Sequence, residues 1–216
     1  TDRQGRDVFT RLLYGTRISL TIGIVAVSLY TAIGSILGAV GGYFGGIVDT
    51  IVLRIIEVVI TFPVLFLILT LRGFISDANI FHVMLLIGVT RWTGTARLVR
   101  GEFLRLRNED FVQAARALGL PEHRIIFRHV LPNALGPVLV SVTFGIAGAI
   151  LIEATLSFLG LGPGTAPSWG QILITGRQTS QMPLILAGGT AIFITISLLN
   201  LAGEGLRDAI DPKLKS

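Results

Sequence analysis

Cysteine is absent from the 216-residue sequence. That excludes a disulfide framework, zinc–thiolate sites and cysteine nucleophiles. Charge is scarce: 14 % of residues are Asp, Glu, Lys or Arg, against about 25 % in a soluble domain. Lysine is limited to Lys213 and Lys215. Neither follows the glycines of a P-loop, so a Walker-type ATPase site is excluded. No Gly-x-Ser-x-Gly elbow occurs, and no apolar run carries two aspartates. His82, His123 and His129 fall near a run's end or in a polar loop. An intramembrane hydrolase therefore lacks its nucleophile–base pair.

What is present is apolar. Hydrophobic residues make up 51 % of the chain, and mean hydropathy is +0.75. Five apolar runs stand out, at about 18–40, 48–71, 80–98, 134–157 and 182–203. Each is near the ~20 residues that a helix needs to cross ~30 Å of hydrocarbon. The first and last are free of charge. The second is interrupted by Arg54, Glu57 and Pro63, the third contains Arg91, and the fourth carries Glu153. The fold class expected is an all-α membrane protein with five visible spans. The chain opens on Thr1 without a signal-peptide pattern, and a further span upstream is expected.

Eight arginines fall between Arg91 and Arg128. The positive-inside rule places that connection in the cytoplasm. The tail 209–216, with Lys213 and Lys215, then also lies inside. Residues 1–17 form an extracytoplasmic amphipathic segment, although Arg3, Arg6, Arg11 and Arg17 fit that side poorly. The net charge of +5 is thus explained by membrane orientation and lipid contact, not by nucleic acid.

Small residues recur every four positions at Gly34, Gly38 and Gly42, and again at Gly145 and Ala149. That spacing gives a helix a stripe for close packing. The stripe either borders a pathway or serves bundle packing alone, with GGYFGG (41–46) as a turn. No internal repeat or low-complexity tract is visible.

Residues 108–132 cannot lie in the membrane. Asn108 suits an N-cap, and Glu109 and Asp110 suit a first helical turn. Phe111, Ala114, Ala115 and Leu118 fall on one small apolar face, with Arg116 off it. Gly119 suits a left-handed helix end, and Pro121 suits the start of a second helix that Leu131-Pro132 closes. Two short helices are expected here, either docking another protein or lying on the membrane surface.

This stretch resembles the EAA loop of ABC importer permeases, through Ala114, Ala115, Gly119, Leu131 and Pro132. Gln113 replaces the usual glutamate, and His129 takes a position that is usually hydrophobic. Other stretches resemble the dipeptide, oligopeptide and nickel branch: TDRQGRDVFTRLLYGTRISL (1–20), GGYFGGIVDT (41–50), ARLVRGEFLRLR (96–107), FRHVLPN (127–133), LSFLGLG (156–162), PSWG (167–170) and GLRDAIDPKL (205–214). The resemblance implies the type I ABC importer fold in the inner membrane. It implies an ATPase-docking segment of Phe111, Gln113, Ala114, Ala115, Leu118, Gly119, Leu120 and Pro121. The implied partners are a second homologous permease subunit, two cytoplasmic ABC ATPases and an extracytoplasmic substrate-binding protein. ATP and Mg2+ would sit on the ATPases, and this chain would hold no cofactor. The substrate would be peptides or nickel.

Ionisable residues within spans are functional candidates by default. Glu57 and Glu153 are therefore candidates for a translocation path. Arg54 and Glu57, three apart, can also form a structural ion pair. Glu153 can line an exit or be wetted at the interface. An ion-coupled carrier would use the same residues but would have no need of an ATPase-docking loop. A membrane anchor that only holds partners is the third class, and its function would survive their removal. Residues 156–180 form the longest outside connection. Gly160, Gly162, Pro163, Gly164 and Pro167 favour turns there, and Trp169 suits a membrane interface. The binding protein would dock near it, or the stretch is an interfacial linker.

Overall fold

The computed structural model describes residues 1–2, 5–75, 79–162 and 166–210. Every regular element among them is helical. The expected turn residues Pro163 and Gly164, Arg3, and the tail 211–216 with Lys213 and Lys215 lie outside the described residues.

Helix α1 (Val8–Phe44) starts where Asp7 accepts the Thr10 amide at 2.7 Å, an N-cap bond. Its 37 residues extend ~55 Å, well beyond the expected run 18–40. The expected boundary at residue 17 is therefore not a break in the chain's structure. The helix ends at Gly45 and Gly46, whose φ values of +67° and +55° are readily available only to glycine.

Helices α2 (Gly46–Thr61) and α3 (Val64–Gly73) replace the single second span expected over 48–71. They meet at 81°. Pro63 donates no amide hydrogen, and its ring pushes the preceding residue out of the helical region. Phe62 is accordingly extended, at φ −92° and ψ 128°.

Helix α4 (Ile80–Leu106) covers the weak third run and continues past it. It has the length of a span but carries Arg91, Arg97, Arg100, Glu102 and Arg105. Arg91, Arg100 and Glu102 are half-buried, while Arg97 and Arg105 are exposed. The stripe Gly34, Gly38 and Gly42 is where α4 lies on α1. A Cβ at Gly34 would sit 2.6 Å from the Trp92 carbonyl oxygen, and one at Gly42 would sit 2.7 Å from that of Arg100. Close backbone approach of this kind is available only to small residues. The stripe thus serves helix packing, which both of its expected uses require.

Helix α5 (Asp110–Ala117) leads to α6 (Glu122–Ile125), and a π turn over Ile126–Val130 joins α6 to α7 (Leu131–Phe158). The second short helix is therefore not closed at Leu131-Pro132 but runs on into the fourth span. Pro132 has no amide hydrogen to offer. The ladder there widens to a five-residue bond, Leu131 amide to Ile126 carbonyl, which is how π turns absorb such a defect. Helix α8 (Trp169–Gln178) lies within the stretch expected to be a turn-rich connection, and α9 (Met182–Ile210) closes the chain.

By length and composition, α1, the run Glu122–Phe158 and α9 can each cross a membrane, and the bent pair α2–α3 makes a fourth candidate. The apolar core has three parts. One joins α1 to α4 through Ile22, Ala26, Ile87 and Ala96. A second lies under α5 and α6 at one end of the bundle. The third lies under α8 and α9, around Trp169, Ile172 and Leu184.

Candidate functional site

Helix α5 has an inner and an outer face. Val112 and Ala115 are buried against Val99, Phe103, Ile125 and Val130. Phe111, Ala114 and Leu118 face out, with Gln113 exposed beside them. The apolar face expected from the spacing is thus split. Ala115 belongs to the seat of the helix, at 4 % exposure, while Leu118 is 81 % exposed. The reason is Val112, whose side chain turns the helix toward the core and takes Ala115 with it.

The N-cap also differs from expectation. Glu109 occupies it, one residue later than Asn108. The Asn108 side-chain amide donates instead to the Leu104 carbonyl at 3.4 Å, on the end of α4. The C-terminal end is as expected. Gly119 is left-handed at φ +72°. The Leu120 amide donates to the Ala115 carbonyl at 3.2 Å, and the Gly119 amide to that of Arg116 at 2.9 Å. These two bonds make a Schellman end. Leu120 is half-buried against the core below, and Pro121 caps α6.

A polar clamp fixes the segment to α1. The Tyr43 hydroxyl donates to Glu122, and the Arg116 guanidinium lies 5.5 Å from the Tyr43 ring centroid. Arg107 donates to the carbonyls of Gly42 and Tyr43 at 3.3 and 3.4 Å. Arg100 grips Asp49 of α2 through two bonds, one of 2.6 Å. The outer face of α5 is thereby held on a rigid base tied to α1, α4 and α7. Tyr43, Val112 and Glu122 carry much of this and were not singled out in the sequence. Their signal is long-range, since Tyr43 and Glu122 lie 79 residues apart.

The two acidic candidates are far from α5 and differ from each other. Glu57 is exposed on the outer face of α2 and pairs with Arg54 at 2.7 Å. Glu153 is fully buried. Its Oε1 accepts the hydroxyls of Ser157 at 2.7 Å and Ser168 at 2.6 Å. It is not wetted in this chain, and it joins α7 to the start of α8. Trp169 follows the same joint. It is buried at 2 % exposure, and its indole donates to the Leu12 carbonyl at 3.2 Å.

A family model described as "Binding-protein-dependent transport system inner membrane component" matches residues 18–216. The chain belongs to this family. It is 39 % identical over 219 residues to the dipeptide transport system permease protein DppC of Alkalihalophilus pseudofirmus, covering 100 % of this chain and 72 % of that protein. It is 41 % identical over 216 residues to the oligopeptide transport system permease protein OppC of Haemophilus influenzae, covering 99 % and 69 %. The fold matches the MetNI methionine ABC transporter in an inward-facing conformation, with a TM-score of 0.73 at 20 % identity over 94 % of this chain and 97 % of that one. It also matches an amino acid ABC transporter, with a TM-score of 0.68 at 14 % identity over 93 % and 94 %. The fold is that of type I ABC importer permeases.

The stretches that resemble the transport family have structural work in this inner-membrane component. GGYFGGIVDT supplies Gly42, Tyr43 and Asp49, and ARLVRGEFLRLR supplies Arg100 and Arg107, so the two bind each other. LSFLGLG ends α7 on left-handed Gly160. PSWG starts α8 with Ser168 and packs Gly170 so closely on α7 that a Cβ would sit 2.8 Å from the Ala154 Cα.

Proposed function

We propose that this chain is one of two homologous permease subunits of an ATP-driven peptide importer. In this reading α5 and the α5–α6 bend form the coupling element, face the cytoplasm and dock two ABC ATPases between them and the second subunit. Phe111, Ala114 and Leu118 enter a cleft of the ATPase, with Gln113, Gly119, Leu120 and Pro121 at the rim. Ala115 acts from beneath. ATP and Mg2+ belong to the ATPases. An extracytoplasmic binding protein delivers substrate at the opposite end, near 156–180 and α8.

The observation that carries this reading is the exposed apolar face of α5 on a helix whose other face and both ends are pinned to the bundle. A handle must transmit displacement, and only a seated helix does so. Closure of the ATPase pair would move α5, and through the Tyr43 clamp and the continuous α6–α7 helix would move the spans. The peptide substrate is taken from relatives named for dipeptide and oligopeptide transport, which favours peptides over nickel. Orientation follows the arginine excess around α5. Arg6 and Arg11, which fit an outside location poorly, both pair with Asp2, at 2.8 and 2.7 Å, which softens that conflict.

The test is reconstitution of this chain with its second permease subunit, ATPases and binding protein in liposomes. Uptake of a radiolabelled tripeptide mixture should require ATP and all partners. Uptake driven by an ion gradient without the ATPases would make the chain a secondary carrier and overturn the proposal.

A further inference from the structure

A cavity of about 300 Å3 lies where α1, α4 and α7 meet. Tyr30, Arg91, Thr95, Ser141, Phe144 and Gly145 line it. Its depth follows from the sequence. Tyr30 stands in the middle of the charge-free run 18–40, and Gly145 in the middle of the run 134–157. The cavity is therefore near the bilayer midplane, ~15 Å from either headgroup layer.

Arg91 is the one charged side chain among the described residues lining it. Its guanidinium reaches across to α7, where Nη1 lies 3.0 Å from the place a Cβ at Gly148 would occupy. It forms no hydrogen bond or ion pair with the described residues. Further along the same helix, Arg100 has Asp49 and Arg105 has Glu102, and Arg97 is exposed on the outer surface. An unpaired guanidinium at mid-membrane is among the least favourable groups a span can carry. It is tolerated where it faces a wet cavity and awaits a counter-ion. Lipid phosphates are too far away to serve.

The surrounding groups are neutral. The Tyr30 hydroxyl forms no hydrogen bond with the described residues, and the Thr95 side chain completes the polar wall. The Ser141 hydroxyl is already used on the Val138 carbonyl. A guanidinium fork matches a carboxylate in two parallel bonds. The volume is at the lower end for ligand pockets, so it takes the end of a chain molecule and not the whole of it.

We infer that this cavity is a transient subsite for the C-terminal carboxylate of a peptide in transit, with Arg91 as counter-ion and Tyr30 and Thr95 as neutral partners. The inference rests on the peptide-import reading and extends it to the membrane interior. A fixed positive charge at mid-depth also repels metal cations, which sets peptides apart from nickel as cargo. Passage demands that such a site bind weakly.

The test uses the assembled complex of both permease chains and ATPases without the binding protein, so that the latter's selectivity does not enter. A tripeptide with a photoreactive diazirine on its last residue is offered as the free acid and as the C-terminal amide, and labelled positions are mapped by mass spectrometry. The free acid should label α4 or α7 around Thr95 or Phe144 at least tenfold more than the amide. Arg91→Gln should cut that labelling about tenfold, and Arg91→Lys, which keeps the charge but loses the fork, by less than Arg91→Gln. Equal labelling by acid and amide on the unaltered chain, which needs no variant to fold, overturns the inference. So does labelling indifferent to Arg91→Gln. Loss of the second permease chain from purified Arg91→Gln complex would assign Arg91 to a carboxylate of that partner and overturn it as well. If the complete system, with its binding protein restored, imports the peptide but the cavity is unlabelled, the subsite fails alone. If that complete system shows no ATP-dependent uptake, the import reading itself has failed.

Discussion

At Ser168 one hydroxyl closes two structures. It donates to buried Glu153 at 2.6 Å and accepts the Gln171 amide at 3.2 Å, capping α8. Ser168→Ala removes both bonds and leaves a buried carboxyl oxygen with one donor fewer. The expected loss is about 1–2 kcal/mol, seen as a lower thermal midpoint of the purified protein. Ser168→Thr keeps the hydroxyl and should stay closer to the parent. Equal losses for the two would place the effect in packing and not in the hydroxyl. The sequence marks Glu153 plainly, as a lone acid in an apolar run. It does not mark Ser168, because fifteen residues and a bend separate the pair. Arg91 is visible for the same reason as Glu153. Its opening onto Tyr30 and Gly145 is not, since that depends on how three helices cross.

At the scale of the element, α5 and its end decide the site. Gly119 is left-handed, and a Cβ there would meet nothing within 4 Å. Any cost of substitution is therefore conformational. Gly119→Val should destabilise the bend by more than the ~1–2 kcal/mol typical of a left-handed L-residue and reduce ATP-coupled uptake severalfold. Gly119→Asn, which tolerates that conformation, should retain most of it. If both variants transport alike, the bend is not a coupling element. This end was legible because Gly-Leu-Pro has one local solution. The split of the helix faces was not. Phe111, Ala114, Ala115 and Leu118 satisfy one periodicity, and only the position of Val112 over the core shows which of them turn inward. The break at Phe62–Pro63 is written in the proline, but its 81° angle is set by packing. Helix α8 escaped notice because ten residues of mixed polarity, bounded by glycines and prolines, look like a loop until Trp169 finds its place in the core.

For the whole molecule, the account requires that one end of the bundle be a rigid docking platform. Its parts come from across the chain: Tyr43 from α1, Arg107 beyond α4, Arg116 from α5 and Glu122 from α6. The type I permease fold was legible in the sequence through the sum of several short stretches. The structure adds why those stretches occur together: they hold one another. The most direct measurement exploits the absence of cysteine. Single cysteines at Leu118, Ala114 and Ala115, with Ile194 as a membrane control, are paired with single cysteines around the cleft of the ATPase and treated with a short crosslinker. The account predicts that Leu118→Cys and Ala114→Cys crosslink, with yields that change on adding ATP, while Ala115→Cys and Ile194→Cys do not. Crosslinking of Ala115→Cys as strong as that of Leu118→Cys, or no ATPase adduct from either outer position, would contradict it.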